Sequence, residues 1–120
     1  YRLPVKVFIL NNEYMGMVRQ WQELLYGGRY SESYTASLPD FVKLAESYGA
    51  AGLRATKPDE VDDVIKEMLS NDRFTICDIA VDKTENCFPM IPSGAAHNEM
   101  LLGPDDQASD TATEEGMVLV

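Results

Sequence analysis

The chain has 120 residues, an apolar fraction of 45% and a formal net charge of −10, which suits one domain, or a piece of one, and excludes a multidomain enzyme. Up to Glu85, ten basic residues stand against fourteen acidic ones, and the six acids from Glu99 onward have no basic neighbours; that balance argues against a nucleic-acid backbone as partner. No apolar stretch approaches a membrane span and no signal peptide leads in, while the absence of an initiating Met points to a start inside a longer chain.

In chain order, the first predicted element is a strand: Val5, Val7, Phe8, Ile9 and Leu10 form an apolar run broken only by Lys6. A short β-branched and aromatic run without alternation reads as a strand buried on both faces, as in a parallel sheet. It stops at Asn11 and Asn12, and in open α/β sheets ligands sit where such strands end. Residues 15–26 place Met17, Trp21, Leu24 and Leu25 at helical spacing, with Gly27 and Gly28 as the stop. Residues 29–37, RYSESYTAS, have no period and read as a surface loop.

Pro39 is expected as a first helical residue with Asp40 in the first turn; Phe41, Val42, Leu44, Ala45 and Tyr48 make the apolar face, and Gly49 ends the helix. A short strand over 50–55 follows. Pro58 repeats the start signal, and Val61, Val64, Ile65, Met68 and Leu69 form an amphipathic stripe. FTICDIAV, residues 74–81, is the last strand. The order β-α-α-β-α-β without hairpin signals predicts an α/β fold, a partial parallel sheet flanked by helices with right-handed crossovers. From Asp82 the pattern dissolves. The expected division is a sheet-bearing part over 1–82, an arm over 83–103 and an acidic, disordered tail over 104–120.

The chemistry concentrates behind the first strand. The amide oxygen of Asn12 can ligate a hard cation, as can a backbone carbonyl just beyond it; magnesium takes few protein oxygens and completes its shell from phosphate and water. Gly16 lets the backbone approach a ligand, and a helix starting near Met15 would turn free N–H groups toward an anion. Together these suit a magnesium-diphosphate group. The same residues also fit a plain turn or helix cap, and Met17 and Trp21 also fit the core face of an amphipathic helix. Cys77 and Cys87 have neither disulfide nor zinc spacing, which favours a reducing, cytoplasmic setting, and His97 reads as a loop residue.

The segments NNEYMGMVRQWQ, YGGRYSES, LPDFVKLAESYG and CFPMIPSGAAHNEML resemble the carboxyl-terminal part of the catalytic large subunit of the acetohydroxyacid synthase (acetolactate synthase) family, which depends on thiamine diphosphate. The resemblance runs from about Leu3 to Leu102. It implies that Asn12 binds Mg2+ through its side chain and Tyr14 through its backbone carbonyl. It implies that Gly16 and Met17 lie against the cofactor, and that Met17 and Trp21 line the pocket for the second 2-keto acid, Trp21 also within the herbicide channel. Residues 20–37 resemble a mobile loop and 89–102 a closing arm.

The implied reaction, in valine, leucine and isoleucine biosynthesis, is decarboxylation of pyruvate followed by condensation with pyruvate or 2-ketobutyrate. The partners implied are those 2-keto acids, the rest of the subunit and a second catalytic subunit, with a regulatory small subunit as a further candidate. Neither nucleic acid nor membrane is among them. The family's first magnesium-binding aspartate, its activating glutamate and its FAD-binding domain have no counterpart here. No catalytic residue is therefore expected within these residues, FAD would belong to the complete enzyme, and the isolated chain should be inactive. The alternatives are another thiamine-dependent 2-keto acid decarboxylase or carboligase, or a non-enzymatic α/β interaction module.

Overall fold

A computed structural model describes residues 3–106; the expectation of disorder for the acidic end falls, from 107 onward, outside the described residues. The elements are β1 (Lys6–Asn11), α1 (Gly16–Leu24), α2 (Phe41–Ser47), β2 (Ala51–Ala55), α3 (Val61–Ser70) and β3 (Thr75–Ala80), with single 3-10 turns at Pro58–Glu60 and His97–Glu99. They fall into two compact units interleaved in sequence. One takes the chain up to Tyr14 together with Thr35–Lys83; the other takes Met15–Tyr34 together with the chain from Thr84 on.

The first unit is a parallel three-stranded sheet in the order β1-β3-β2, with Phe8 and Leu53 both facing Cys77 in register. Parallel neighbours cannot be joined by a tight turn, so the helices serve as crossovers. Ala55, Met68, Cys77 and Ile79 form the buried core, and Leu53, Val61, Val64 and Val81 pack against it. Met68 is where the stripe of α3 meets the sheet, as the spacing predicts. On α2, Ala45 is fully buried. Gly52 on β2 explains how closely α2 can lie: a Cβ there would stand 2.6 Å from the Val42 carbonyl oxygen.

Two expectations need correction. The middle strand is β3, whereas β1 lies at the edge, with Val5, Val7, Phe8 and Leu10 exposed. The apolar run is real, but burial on both faces needs covering layers, and β1 has a strand on one side only. Its one polar interruption is used: Lys6 Nζ donates to the carbonyls of Asn71 at 2.7 Å and Arg73 at 2.6 Å. In α2, Asp40 is the N-cap rather than a residue of the first turn, accepting from the N–H groups of Val42 at 3.1 Å and Lys43 at 3.3 Å. An aspartate at that position satisfies otherwise orphaned donors better than proline before it can. Gly49 ends the helix with φ +72°; α3 begins at Val61, three residues after the Pro58 start signal, which opens the 3-10 turn instead, and the other boundaries shift by a residue or two.

The second unit is built on α1. Its helix ends at Leu24, two residues before the expected Tyr26, and Gly27 and Gly28 follow with φ +60° and +71°. Residues 29–37 have no helix or strand, as expected. The arm folds on itself through an antiparallel bridge between Met90 and Leu101. Residues 104–106, expected to begin the disordered tail, lie in a turn in which Leu102 N–H donates to Asp106 Oδ2 at 2.8 Å. Among the described residues, no helix is long and apolar enough to cross a membrane.

Candidate functional site

The predicted site residues divide between the two units, and each group has its own geometry. In the first unit β1 ends in two successive Asx turns. Asn11 Oδ1 accepts from Glu13 N–H at 3.1 Å, and Asn12 Oδ1 accepts from Tyr14 N–H at 3.3 Å. This is the local bonding for which asparagine is favoured in turns. Glu13 adopts φ +57°, an uncommon region for a residue with a side chain. Its carbonyl accepts from Thr35 N–H at 2.9 Å and from Thr35 Oγ1 at 2.6 Å, and its carboxylate pairs with Lys83 at 2.6 Å. Asn12 and Tyr14 are half-buried and joined by a hydrogen bond. An amide oxygen has two lone pairs, so accepting from Tyr14 leaves one for a cation.

A charged row that sequence reading missed lies behind this turn. Asp78 on β3 is 5% exposed; its Oδ1 accepts from Asn11 Nδ2 at 3.0 Å and its Oδ2 from Arg54 Nε at 3.1 Å. Arg54 Nη2 reaches Asp40 Oδ1 at 2.8 Å. Backbone donation from Lys43, helped by Arg54 and Val42, holds the Asp40 carboxyl below its ordinary range against a smaller opposing effect of desolvation. Burial pushes the Cys77 thiol up, which leaves it an inert core residue. Both cysteines are free.

In the second unit, Gly16 and Met17 open α1. The N-cap position is Met15, no side chain caps the helix, and its first turn has no acidic residue. The leading N–H groups of a helix have no partner within it, so this end offers donors and a positive dipole to an anion. Met17 is 54% and Trp21 43% exposed, so neither is a core residue of this chain. Both line a groove of about 960 Å3, with Val18 and Tyr26 adding apolar wall and Gln22, Arg29 and Ser31 the polar lining. That volume suits a small-molecule site. Those five residues were given no pocket role in the sequence, although all of them lie within the stretches 11–22 and 26–33 already marked out as distinctive.

The buried face of α1 is the polar one. Gln20, 1% exposed, donates through Nε2 to the Cys87 carbonyl at 3.0 Å and accepts from Cys87 N–H at 2.7 Å. Arg19 pairs with Glu23 at 2.6 Å, donates to the Thr84 carbonyl at 3.2 Å and lies 5.2 Å from the centre of the Tyr30 ring. These bonds hold the start of the arm against α1, whose apolar side remains open.

Comparison with known proteins identifies the family. Residues 1–79 match the family described as thiamine pyrophosphate enzyme, C-terminal TPP binding domain. The chain belongs to the thiamine pyrophosphate enzymes. It is 44% identical over 92% of its length to the acetolactate synthase large subunit of Haemophilus influenzae, and 44% identical over 89% to the acetolactate synthase isozyme 3 large subunit of Escherichia coli. A large subunit from Cyanidium caldarium is 43% identical over 84% of the chain. The chain spans 19% of the length of each of the first two relatives and 17% of the third. The parallel three-stranded sheet with its helices is consistent with a part of such a C-terminal domain.

Proposed function

We propose that this chain is the carboxyl-terminal part of an acetolactate synthase large subunit, working in the cytoplasm, and that it contributes part of one cofactor site. In this reading residues 1–82 belong to the cofactor domain, 83–103 form an arm and 104–120 an acidic tail. The observation that carries the reading is the apolar groove around Met17 and Trp21, on a helix whose first turn is free to face an anion.

The donors fit a magnesium-diphosphate group. Asn12 has its amide oxygen fixed by Tyr14 N–H, and Tyr14 would add its backbone carbonyl. Among the described residues no cluster of three or more His, Cys, Asp or Glu could hold a metal. The anionic ligands are therefore expected from the diphosphate and from a carboxylate elsewhere in the subunit. Thiamine diphosphate, when bound, supplies the nucleophilic carbon that lets a 2-keto acid lose CO2 and join a second one.

This chain's own residues bind and orient. Asn12 and Tyr14 would anchor the cation, and Gly16 and Met17 would lie along the cofactor. Trp21, Met17 and Val18 give the second 2-keto acid, pyruvate or 2-ketobutyrate, an apolar wall that keeps water out. Arg29 offers a cation for its carboxylate. The activating glutamate and the FAD site belong to other parts of the enzyme, the former across an interface with a second catalytic subunit; a regulatory small subunit joins through surfaces of the complete enzyme.

The test is turnover of pyruvate by the complete subunit. Acetolactate should form only when Mg2+ and thiamine diphosphate are both present, and the isolated chain should form none. Synthase activity in the isolated chain, or decarboxylation to free aldehyde alone by the complete subunit, would overturn the assignment.

A further inference from the structure

Resting on that reading of Asn12, we propose that Asn11, held by the buried carboxylate of Asp78, is a positioning residue that presents Asn12 to the cation. Asp78 lies on the middle strand among Ile76, Cys77 and Ile79, where a carboxylate is costly unless its oxygens are matched. The two oxygens are divided. Oδ2 takes Arg54 on β2, which balances the charge, and Oδ1 takes Asn11 at the end of β1.

The sheet alone needs only the first of these bonds, because Arg54 and Asp78 face each other in register. The second bond reaches beyond the sheet. With Nδ2 tied to Asp78, Asn11 can turn Oδ1 only toward the following backbone, where it receives Glu13 N–H at 3.1 Å. At the other end of the turn, Thr35 holds the Glu13 carbonyl through both its N–H and its hydroxyl. Glu13 is thereby kept at φ +57°, between two fixed points. Asn12 sits inside this clamp with its oxygen aimed at Tyr14 N–H. The outer partners of a metal ligand set its orientation, and losing one typically weakens metal affinity by about 10–100-fold.

The experiment uses the complete subunit and reads binding rather than turnover. Thiamine diphosphate binding is titrated by calorimetry at increasing Mg2+, in the parent and in Asn11→Ala, which leaves the Arg54–Asp78 pair in place. The Mg2+ needed for half-maximal binding should rise about tenfold in the variant, and excess Mg2+ should restore full binding. A merely structural Asn11 would change thermal stability and leave the Mg2+ midpoint alone. Should Asn11→Ala fail to fold, Asn11→Asp, of the same shape but repelled by Asp78, is read the same way. A midpoint unchanged in the folded variant, beside normal Mg2+-dependent binding by the parent, overturns the positioning role alone. Binding by the parent that ignores Mg2+ overturns the assignment of Asn12 and this inference with it.

Discussion

Helices α1 and α3 are both amphipathic, but they bury opposite faces. In α3 the apolar stripe meets the sheet through Met68, Val61 and Val64, and the charged residues stay outside. In α1 the polar Arg19 and Gln20 are buried, while Met17, Val18 and Trp21 are exposed. An apolar face pressed to a sheet is a core, whereas one left open beside polar groups such as Arg29 suits a binding surface. In the proposed reading, the contrast separates residues that hold the fold from residues that meet a ligand.

The largest effect should come from the core side. Met68→Ala is expected to cost about 2–5 kcal/mol in urea unfolding, because the sheet cannot collapse into the space left. A loss well under that range would mean α3 is not the structural helix of the pair. Next is the buried polar face of α1. Gln20→Ala strips both backbone groups of Cys87 of their partner, at about 1–3 kcal/mol. Amide exchange should accelerate at Cys87 and Met90 while β3 stays protected; equal acceleration in β3 would show that α1 supports the whole fold.

Trp21→Leu should change stability by less than about 0.5 kcal/mol, as for an exposed site away from special features. It should nevertheless shift a pyruvate/2-ketobutyrate competition away from the larger acceptor, by at most about 1–3 kcal/mol, the worth of a methylene. A large stability loss with an unchanged product ratio would turn α1 into a second core helix.

The smallest effect concerns α2, which buries Ala45 and is capped by Asp40. The folded carboxyl lies below its ordinary value of 3.8, so the cap contributes fully above that value and is lost as pH falls through the lower folded value. Amide exchange at Val42 and Lys43 should quicken only in that acidic window, and Asp40→Asn should remove the pH dependence.

The regular elements were legible because each carries its own pattern: the stripe of α3, the apolar run of β3, the glycine after α2. The Asn11–Asn12 turn was legible for the same reason. The exposure of β1 was not, since burial depends on neighbours and Val7 or Phe8 reads the same with or without them. Asp78, Arg54 and Asp40 also escaped, because their meeting depends on strand register and helix placement, which no local spacing encodes. Gln20 carries no local mark of burial, being a polar residue between Met17 and Trp21; only the return of Cys87 makes it a buried clamp.

The central claim is that Asn12 helps a magnesium ion hold the diphosphate, and Mg2+-dependent binding of thiamine diphosphate to the complete subunit tests it most directly. Asn12→Ala should raise the Mg2+ requirement by at least about tenfold, with unfolding temperature in the absence of cofactor little changed. A variant that folds and binds the cofactor along the parent's Mg2+ curve would contradict the account.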